Sequence, residues 1–308
     1  MRVDIIIVNW NAGQQLCVCL ESIMAANTEE FELRRVVVVD NASTDRSLDG
    51  LEHLSLPLTI MRNATNRGFA AACNQGAKGS DADYLLFLNP DTRLFSDSLS
   101  KPIAFMEQAE NQQIGIVGIQ LMDEQGQVSR TCSRFPTPQT FFVKMCGLDY
   151  IFPKHFSSHF MTDWEHNKNR GVDHVIGAFF LVRQPLFKEL NGFDEQFFVY
   201  FEDLDFSVRA SRLGWRSYYF AEAQAFHKGG GTSEQVKATR LFYSLRSRIL
   251  YGYKHFNKGI AIVLMMGTLL IEPVTRVVYA LYSRSFLQLQ ETVKGYALLW
   301  RSFCQRGF

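Results

Sequence analysis

Asp4-Ile-Ile-Ile-Val8, followed at once by Asn9-Trp-Asn11, is the stretch of sequence that decides the fold. The run is almost wholly apolar and β-branched, and an amphipathic segment from about Gln15 to Ala26 follows it, so the pattern predicts a buried strand and then a helix. Three further apolar runs lie at Val36–Val39, Leu58–Met61 and Tyr84–Leu88. Strands that are apolar on both faces indicate an α/β protein whose sheet is covered by helices on both sides.

Polar side chains stand at the ends of three of these predicted strands. Asn9 follows the first, Asp40 ends the second, and Asp91 comes just after the fourth. Ligands of such sheets bind in the crevice beyond the carboxyl ends of the strands. The sequence therefore predicts a ligand site at this edge of the sheet.

The composition is that of a folded protein in which charge is unevenly distributed. The 308 residues are 47% hydrophobic and 20% charged, and the net charge of +1 gives no reason to expect a nucleic-acid partner. Residues 240–308, however, contain ten Lys and Arg against two Asp and Glu, a net charge of +8. The six cysteines lack metal-site spacing, and no secretory leader precedes them, so we expect reduced thiols in a cytoplasmic chain.

The basic C-terminal region contains an apolar run, Gly259–Ile271, that ends at Glu272, Pro273 and Arg276. As a helix this run is about 20 Å long, short of the roughly 30 Å hydrocarbon core of a bilayer. With Lys and Arg on both sides, a basic segment lying in the membrane interface is the favoured interpretation. A helical subdomain packed on the core and a transmembrane helix are the alternatives.

Asp91 is the first candidate for chemistry. The preceding Asn89-Pro90 fixes the backbone direction, so the carboxylate is predicted to point into the crevice. Hard cations such as Mg²⁺ or Mn²⁺ take oxygen ligands, and one or two carboxylates suffice when a substrate's phosphates supply the rest. The alternative is a simple Asn-Pro-Asp turn.

Two other loops follow predicted strands. Asp40 is placed to accept a hydrogen bond from the ring N–H of a pyrimidine or from a ribose hydroxyl, whereas Asp45 is a candidate helix cap. The segment 66–76 combines a glycine turn with small residues that begin a helix, which allows a ligand to approach closely. No GxGxxG fingerprint follows the first strand, so a dinucleotide site is not indicated.

Three carboxylates, Glu202, Asp203 and Asp205, lie at the start of a predicted helix. Acidic residues are favoured there by the helix dipole, and that is one interpretation. The other is that one of them is a general base. His227, which follows the predicted strand 216–220 and precedes a glycine-rich loop, is a candidate metal ligand.

Taken together and in this order, these motifs resemble those of family 2 glycosyltransferases, in particular the bacterial rhamnosyltransferase-like branch. The resemblance rests on five stretches: 4–11, 38–45, 66–70, 88–91 and 192–205. It covers about residues 3–235. It implies the GT-A fold, an α/β architecture with a mixed sheet flanked by helices, and a helical, basic C-terminal extension. It also implies a nucleotide-diphospho-sugar donor, a divalent cation, Mg²⁺ or Mn²⁺, and inversion at the anomeric carbon.

Individual roles follow from the same resemblance. Asp40 matches the carboxylate that contacts the base, and Asp91 matches the last residue of the DxD-type motif, in which Asn89 replaces the first acid. His227 resembles a late histidine that completes metal coordination in some members. The donor-binding residues implied are Val8, Asn9, Asn11, Asp40, Asn66, Gly68, Asn89, Asp91 and Gly177.

Asp203 matches the catalytic base of the family, with Glu202 beside it. The implied reaction is a direct displacement in which Asp203 removes a proton from the acceptor hydroxyl. We therefore predict a catalytic domain over 1–238, with a nucleotide-sugar-binding half at 1–100 and an acceptor-side half at 101–238. Residues 239–308 form the basic extension.

The partners that this resemblance implies are a dTDP- or UDP-sugar and a glycan or lipid-linked glycan acceptor. With the basic tail it also predicts peripheral attachment to an anionic membrane surface, at the inner face of the cytoplasmic membrane. Two other functions remain as alternatives: a sugar nucleotidyltransferase, which would need a basic phosphate loop near Asn9-Trp-Asn-Ala-Gly13, and a non-catalytic glycan-binding protein on the same fold.

Overall fold

The computed structural model describes residues 1–152, 155–156, 158–229 and 236–306. The chain divides into two compact units. The first comprises Met1–Phe135, Met161–Glu195 and Glu202–Thr232, and the second comprises Pro136–Phe160, Gln196–Phe201 and Ser233–Phe308.

Eleven strands lie in the first unit, within the part of the chain that the structure describes. They are β1 (Arg2–Asn9), β2 (Glu32–Asp40), β3 (Leu58–Arg62), β4 (Tyr84–Leu88), β5 (Thr92–Leu94), β6 (Ile114–Met122), β7 (Cys132–Ser133), β8 (Arg170–Val172), β9 (His174–Val175), β10 (Phe179–Arg183) and β11 (Arg216–His227). The helices of this unit are α1 (Gln14–Ala25), α2 (Phe69–Ala77), α3 (Ser100–Glu107), α6 (Gln184–Glu189) and α7 (Glu202–Arg212), with short 3-10 turns at Leu51–His53 and Ala109–Asn111.

Nine of the strands form one mixed sheet in the order β3-β2-β1-β4-β10-β6-β11-β5, with β8 pairing on β11. The four strands β3, β2, β1 and β4 run parallel, and β10 is antiparallel to both β4 and β6. Strands β7 and β9 pair separately. The predicted mixed sheet flanked by helices is confirmed.

The core follows from the alternation of side chains along each strand. Ile5 and Ile7 of β1 pack on one face, with α1 and α3, while Ile6 and Val8 pack on the other, with α2, α6 and α7. Because both faces are covered, the strands read as continuous apolar runs in the sequence.

Residues 175–182 are apolar almost throughout, but they do not form one strand in the structure. The segment divides between β9 and β10, and residues 176–178 leave the ladder between them. The backbone N–H of Gly177 donates instead to the Asp203 carboxylate, which gives a physical reason for the break.

The second unit is helical: α4 (Pro138–Met145), α5 (Leu148–Ile151), α8 (Lys237–His255), α9 (Lys258–Met266), α10 (Glu272–Tyr282) and α11 (Phe286–Arg306). Helices α9 and α10 are joined by a π-helical turn, Gly267–Ile271. The ring of a proline in a helix clashes with the carbonyl four residues earlier, and the wider π-helical turn relieves that contact. Helical structure therefore continues past Pro273.

The resulting stretch Lys258–Tyr282 is 25 residues long and, by length and composition alone, is able to cross a membrane. One third of its most apolar window is buried within the protein. Glu272, which ends the apolar run of the sequence, is only 2% exposed. It pairs there with Arg248 and Arg276.

Candidate active site

The two predicted metal ligands lie next to each other. Asp91 is in the turn between β4 and β5, and β5 pairs antiparallel with the end of β11, which carries His227 opposite Thr92. His227 Nε2 is 3.3 Å from Asp91 Oδ1, and the two side chains are 11% and 9% exposed. The sheet thus brings together two residues that are far apart in the sequence.

This pair fits a divalent cation. A carboxylate oxygen and an imidazole nitrogen are both ligands of Mn²⁺-class metals, and a diphosphate would supply further oxygens. Asn89 contributes no charge, and its backbone N–H donates to the carbonyl of Ala178 at 3.0 Å. The negative charge of the predicted Asn-Pro-Asp motif therefore resides on Asp91.

The ends of β1 and β2 are linked by side chains. Asn9 is fully buried, and its amide donates to Asp40 Oδ1 at 2.8 Å and to Ser47 Oγ at 2.8 Å. The N–H of Ser43 lies 3.3 Å from Asp40 Oδ2. Asp40, 5% exposed, is consequently held in one orientation at the end of its strand. Neither Ser43 nor Ser47 was singled out in the sequence, because serines in a polar loop carry no distinguishing pattern.

Two asparagine loops border these strand ends. Asn11 adopts a left-handed backbone (φ 53°), which asparagine tolerates, and its Oδ1 accepts a hydrogen bond from the Thr44 N–H at 2.7 Å. Asn66 Oδ1 accepts from the Gly68 N–H at 2.9 Å, and Gly68, at φ 88°, directly precedes α2. Asn41, which follows Asp40, donates to the Gly68 carbonyl at 3.0 Å. Val8 packs in the core beneath these loops.

Asp203, in the first turn of α7, accepts several hydrogen bonds. Its Oδ2 receives the Gly177 N–H at 2.8 Å, and its Oδ1 receives the Leu204 N–H at 2.8 Å. His174 Nε2 lies 3.3 Å from Oδ2. Burial alone would raise the pKa of Asp203, but the charge and hydrogen bond of His174, with the two N–H groups, hold that pKa below its usual value.

The neighbouring carboxyls differ in character from Asp203. Glu202 is 5% exposed, and burial, followed by the charge of Asp203, raises its pKa well above the usual value. Asp205 is fully buried and accepts from Arg209 Nε at 2.7 Å. Asp203 is therefore the carboxylate of this group that is both ionised and partly exposed, its side chain retaining 16% exposure. The group as a whole begins α7, as predicted.

One dipeptide connects the Asp91 turn with Asp203. Gly177 donates to Asp203, while the carbonyl of Ala178 accepts from the Asn89 N–H and, at 3.3 Å, from the Thr92 hydroxyl. A Cβ atom on Gly177 would lie 3.2 Å from Asp203 Oδ2. Glycine thus permits the close approach, and the dipeptide is hydrogen-bonded both to the predicted base and to the turn that carries Asp91.

His174 and Ser133 are two further residues of this site that the sequence did not reveal. Ser133 Oγ is 2.9 Å from His174 Nδ1, and both side chains are buried. They come from β7 and β9, two strands of two residues each. The only available signal was a histidine placed immediately before an apolar run.

Comparison with known proteins agrees with this geometry. The model of glycosyl transferase family 2 matches residues 4–190, so the chain belongs to that family. An N-acetylglucosaminyl-diphospho-decaprenol L-rhamnosyltransferase of Mycobacterium tuberculosis is 23% identical over 260 residues, which are 80% of this chain and 82% of the relative. The rhamnosyltransferase WbbL of Escherichia coli is 28% identical over 177 residues, 56% of this chain and 62% of the relative.

Solved structures give the same fold. A mannosyltransferase of Pyrobaculum calidifontis in complex with GDP-Man and Mn²⁺ superposes with a TM-score of 0.54 at 16% identity, covering 99% of this chain and 82% of that one. Residues 1–349 of S. aureus TarS in complex with UDP-GlcNAc give a TM-score of 0.54 at 17% identity, covering 97% and 80%. The fold is GT-A, the protein is a glycosyltransferase, and both predictions are confirmed.

Proposed function

We propose that this protein moves a sugar, rhamnose in the first instance, from a dTDP- or UDP-activated donor to a hydroxyl of a lipid-linked glycan, with inversion. The observation that carries the proposal is the connection through Gly177-Ala178 of an ionised Asp203 with the Asp91 and His227 pair. The rhamnosyltransferase relatives support the choice of sugar, and the decaprenol-linked substrate in the name of the mycobacterial relative supports the choice of acceptor.

The steps follow from the positions of the side chains. Asp40 binds the nucleoside, with its carboxylate oriented by Asn9. Asp203 accepts the proton of the acceptor hydroxyl as its oxygen attacks the anomeric carbon from the face opposite the nucleotide. The bond to the diphosphate breaks, and nucleoside diphosphate leaves with the bonding electron pair. Burial, followed by the charge of Asp203, raises the pKa of Glu202 well above its usual value, which favours the protonated form of this neighbour.

Asp91 and His227 would hold the divalent cation of this reaction. When bound, such a cation neutralises charge on the departing diphosphate. Asn89 leaves the site one negative charge short of a DxD motif with two acids. The donor's own phosphates would then provide the remaining charge, so we expect cation and donor to bind cooperatively.

Attachment to the membrane is part of the proposal and rests on the second unit. An apolar stripe runs along Lys258–Tyr282 at intervals of three or four residues, each member between 44% and 83% exposed: Val263, Met266, Leu270, Val274, Val278 and Tyr282. Phe286, at 80% exposure, continues it. Together with the net charge of +8 over residues 240–308, the stripe fits the interface of an anionic bilayer.

The reaction is tested by incubating the full chain with a panel of dTDP-, UDP- and GDP-sugars and a bacterial lipid extract, with and without Mn²⁺ or Mg²⁺. We expect metal-dependent release of nucleoside diphosphate from one donor and a product of inverted anomeric configuration by NMR. Release of sugar 1-phosphate together with nucleoside triphosphate, in a parallel incubation supplied with pyrophosphate, would favour a nucleotidyltransferase. Donor binding without turnover, in folded protein and with every acceptor extract, would favour a glycan-binding protein and contradict the proposal.

A further inference from the structure

A second cluster of possible metal ligands lies on the first unit and includes none of the predicted site residues. Cys17 Sγ, Glu21 Oε1 and a ring nitrogen of His53 all lie within 4.8 Å of one another. Sγ is 3.7 Å from Oε1, and His53 Nε2 is 3.8 Å from the same oxygen. Three different donor types, from two separate elements, thus converge on one point.

Local structure explains why these side chains meet. Cys17 and Glu21 are four residues apart on α1, so they lie on one face, one above the other. The opposite face of the helix is fixed in the core by Cys19 and Ile23, both buried. His53 is at the end of the 3-10 turn Leu51–His53, which buried Leu51 anchors.

The histidine is already oriented as a ligand. Its Nδ1 is 2.6 Å from the carbonyl oxygen of Gly50, and because a carbonyl only accepts, Nδ1 must carry the proton. The lone pair of Nε2 is then on the side of Cys17 and Glu21. Metal-bound histidines characteristically donate their other N–H to a carbonyl or carboxylate in this way.

We propose that Cys17, Glu21 and His53 bind Zn²⁺, or a cation of the same class, with the fourth position open to water. With metal bonds of about 2.3 Å to sulfur and 2.0–2.2 Å to nitrogen and oxygen, tetrahedral geometry places ligand atoms roughly 3.3–3.6 Å apart. The separations of 3.7 and 3.8 Å from Glu21 Oε1 are a few tenths of an ångström longer than this. Cys17 Sγ and the ring nitrogen of His53 lie within 4.8 Å of each other, and rotation of the exposed Glu21 and His53 side chains would bring the three ligand atoms together.

The donor set selects the metal. A thiolate with an imidazole favours Zn²⁺ over Mg²⁺, Ca²⁺ or Mn²⁺, which prefer oxygen ligands. Partial burial and the charge of Glu21 raise the pKa of the Cys17 thiol, so the thiol carries its proton in the absence of a cation. Binding releases that proton to solvent as the sulfur–metal bond forms.

The position of the site suggests what it does. A bound cation would join α1 to the 3-10 turn Leu51–His53. That turn follows the loop from Asp40 to Ser47, in which the nucleoside is proposed to bind. The cation is thus expected to stabilise the donor-binding half without taking part in the reaction.

Cobalt is the probe for this site, because a cobalt–thiolate bond produces a charge-transfer band that oxygen and nitrogen ligands do not. Full-length reduced protein titrated with Co²⁺ is expected to develop this band at one equivalent and to lose it when Zn²⁺ is added. The band should be absent from Cys17→Ser. In His53→Asn the apparent affinity for Co²⁺ should be at least tenfold lower. The band should be unchanged in Cys146→Ser, the matched control at another partly buried thiol.

A second readout guards against loss of folding in the variants. Zn²⁺ should raise the unfolding temperature of the wild type more than that of Glu21→Gln, because a ligand that binds only the folded state stabilises it. Asp91→Asn, which alters the predicted catalytic cation site, should retain the cobalt band, so the two sites are distinguished. Absence of the band in the wild type, or its persistence in Cys17→Ser or His53→Asn at unchanged affinity, would overturn the proposal.

Discussion

His174 Nε2 lies 3.3 Å from Asp203 Oδ2, and the other ring nitrogen of His174 is 2.9 Å from Ser133 Oγ. The buried imidazole is thereby fixed between a hydroxyl and the carboxylate proposed as base. A carboxylate that faces a positive or hydrogen-bonding group loses its proton more readily. His174 is thus a positioning residue that keeps Asp203 ionised.

Replacing His174 by Gln should shift the pH dependence of catalysis. Without the ring, the pKa of Asp203 rises, because burial is then opposed only by the N–H groups of Gly177 and Leu204. The base is protonated over a higher range of pH, so the acidic limb of the kcat/KM profile moves upward. The measurement is that profile for the wild type and His174→Gln at equal donor saturation. Superimposable acidic limbs, in variants with the same unfolding temperature, would contradict this role.

Asp203→Asn should retain the donor and lose turnover. General-base assistance contributes about 10²- to 10⁴-fold, so kcat should fall by at least the lower of these factors while donor binding, followed by calorimetry, changes little. Asp83→Asn is the matched control, because Asp83 is a carboxylate with 48% of its side chain exposed that contacts Arg2 at the amino end of β4, whereas Asp91 follows the carboxyl end of that strand. Equal turnover in Asp203→Asn and the wild type would exclude Asp203 as the base.

Asp91→Asn and His227→Ala should both weaken the binding of Mn²⁺ in the presence of nucleoside diphosphate. We expect the dissociation constant to rise at least tenfold in each, and further in Asp91→Asn, because that variant loses the charged ligand. The free ion is counted by its EPR signal during titration. Chelation by EDTA should abolish turnover, and full activity in EDTA would refute metal dependence.

Sequence patterns predicted the sheet, and they singled out residues that the structure places at the ends of its strands. They could not predict contacts that depend on how separate elements pack. Runs such as Val36–Val39 predicted β2 because a strand that is buried on both faces is apolar at successive positions. The proximity of Asp91 and His227 was beyond those patterns, since it depends on the register of β5 against β11. The break between β9 and β10 at Gly177 could not be predicted from these patterns either, because it accompanies a hydrogen bond to Asp203, which lies in another element.

Asp40→Ala should raise the dissociation constant for the nucleotide donor about tenfold, equivalent to about 1.4 kcal/mol, because it removes the buried carboxylate proposed to accept a hydrogen bond from the nucleoside. Asn9→Ala should have a smaller effect of the same sign, since it frees Asp40 without removing it. Titration calorimetry with dTDP and UDP measures both. Wild-type affinity in Asp40→Ala would place the base elsewhere.

Val274→Glu and Val278→Glu should detach the protein from vesicles without altering its fold. Both residues are in the exposed apolar stripe, at 62% and 60% exposure, so the substitutions cost little within the protein but oppose contact with lipid. The measurement is co-sedimentation with vesicles of phosphatidylglycerol and phosphatidylcholine, at low and high salt. Lys188→Glu, at a basic residue of α6 in the first unit, is a control for net charge. Undiminished binding of both valine variants would rule out the stripe as the contact.

Glu272→Gln should destabilise the second unit strongly. Glu272 pairs with Arg248, which is 5% exposed and also donates to the Thr268 hydroxyl. Glu272 also accepts from Arg276 at 2.8 Å. Removing the one anion leaves a buried guanidinium uncompensated, at a cost of about 3–5 kcal/mol.

Burial would raise the pKa of Glu272, but the two arginines hold it below the usual value. The stabilisation is therefore complete at neutral pH and is lost as the pH falls through that lowered pKa. Urea unfolding followed by circular dichroism, from neutral pH into the acid range, measures both effects. The double variant Arg248→Met with Glu272→Leu should recover much of the loss, since it leaves no buried charge without a partner and Arg276, 36% exposed, is able to face solvent. Equal stability of Glu272→Gln and the wild type at neutral pH would show that the pair contributes nothing to the fold.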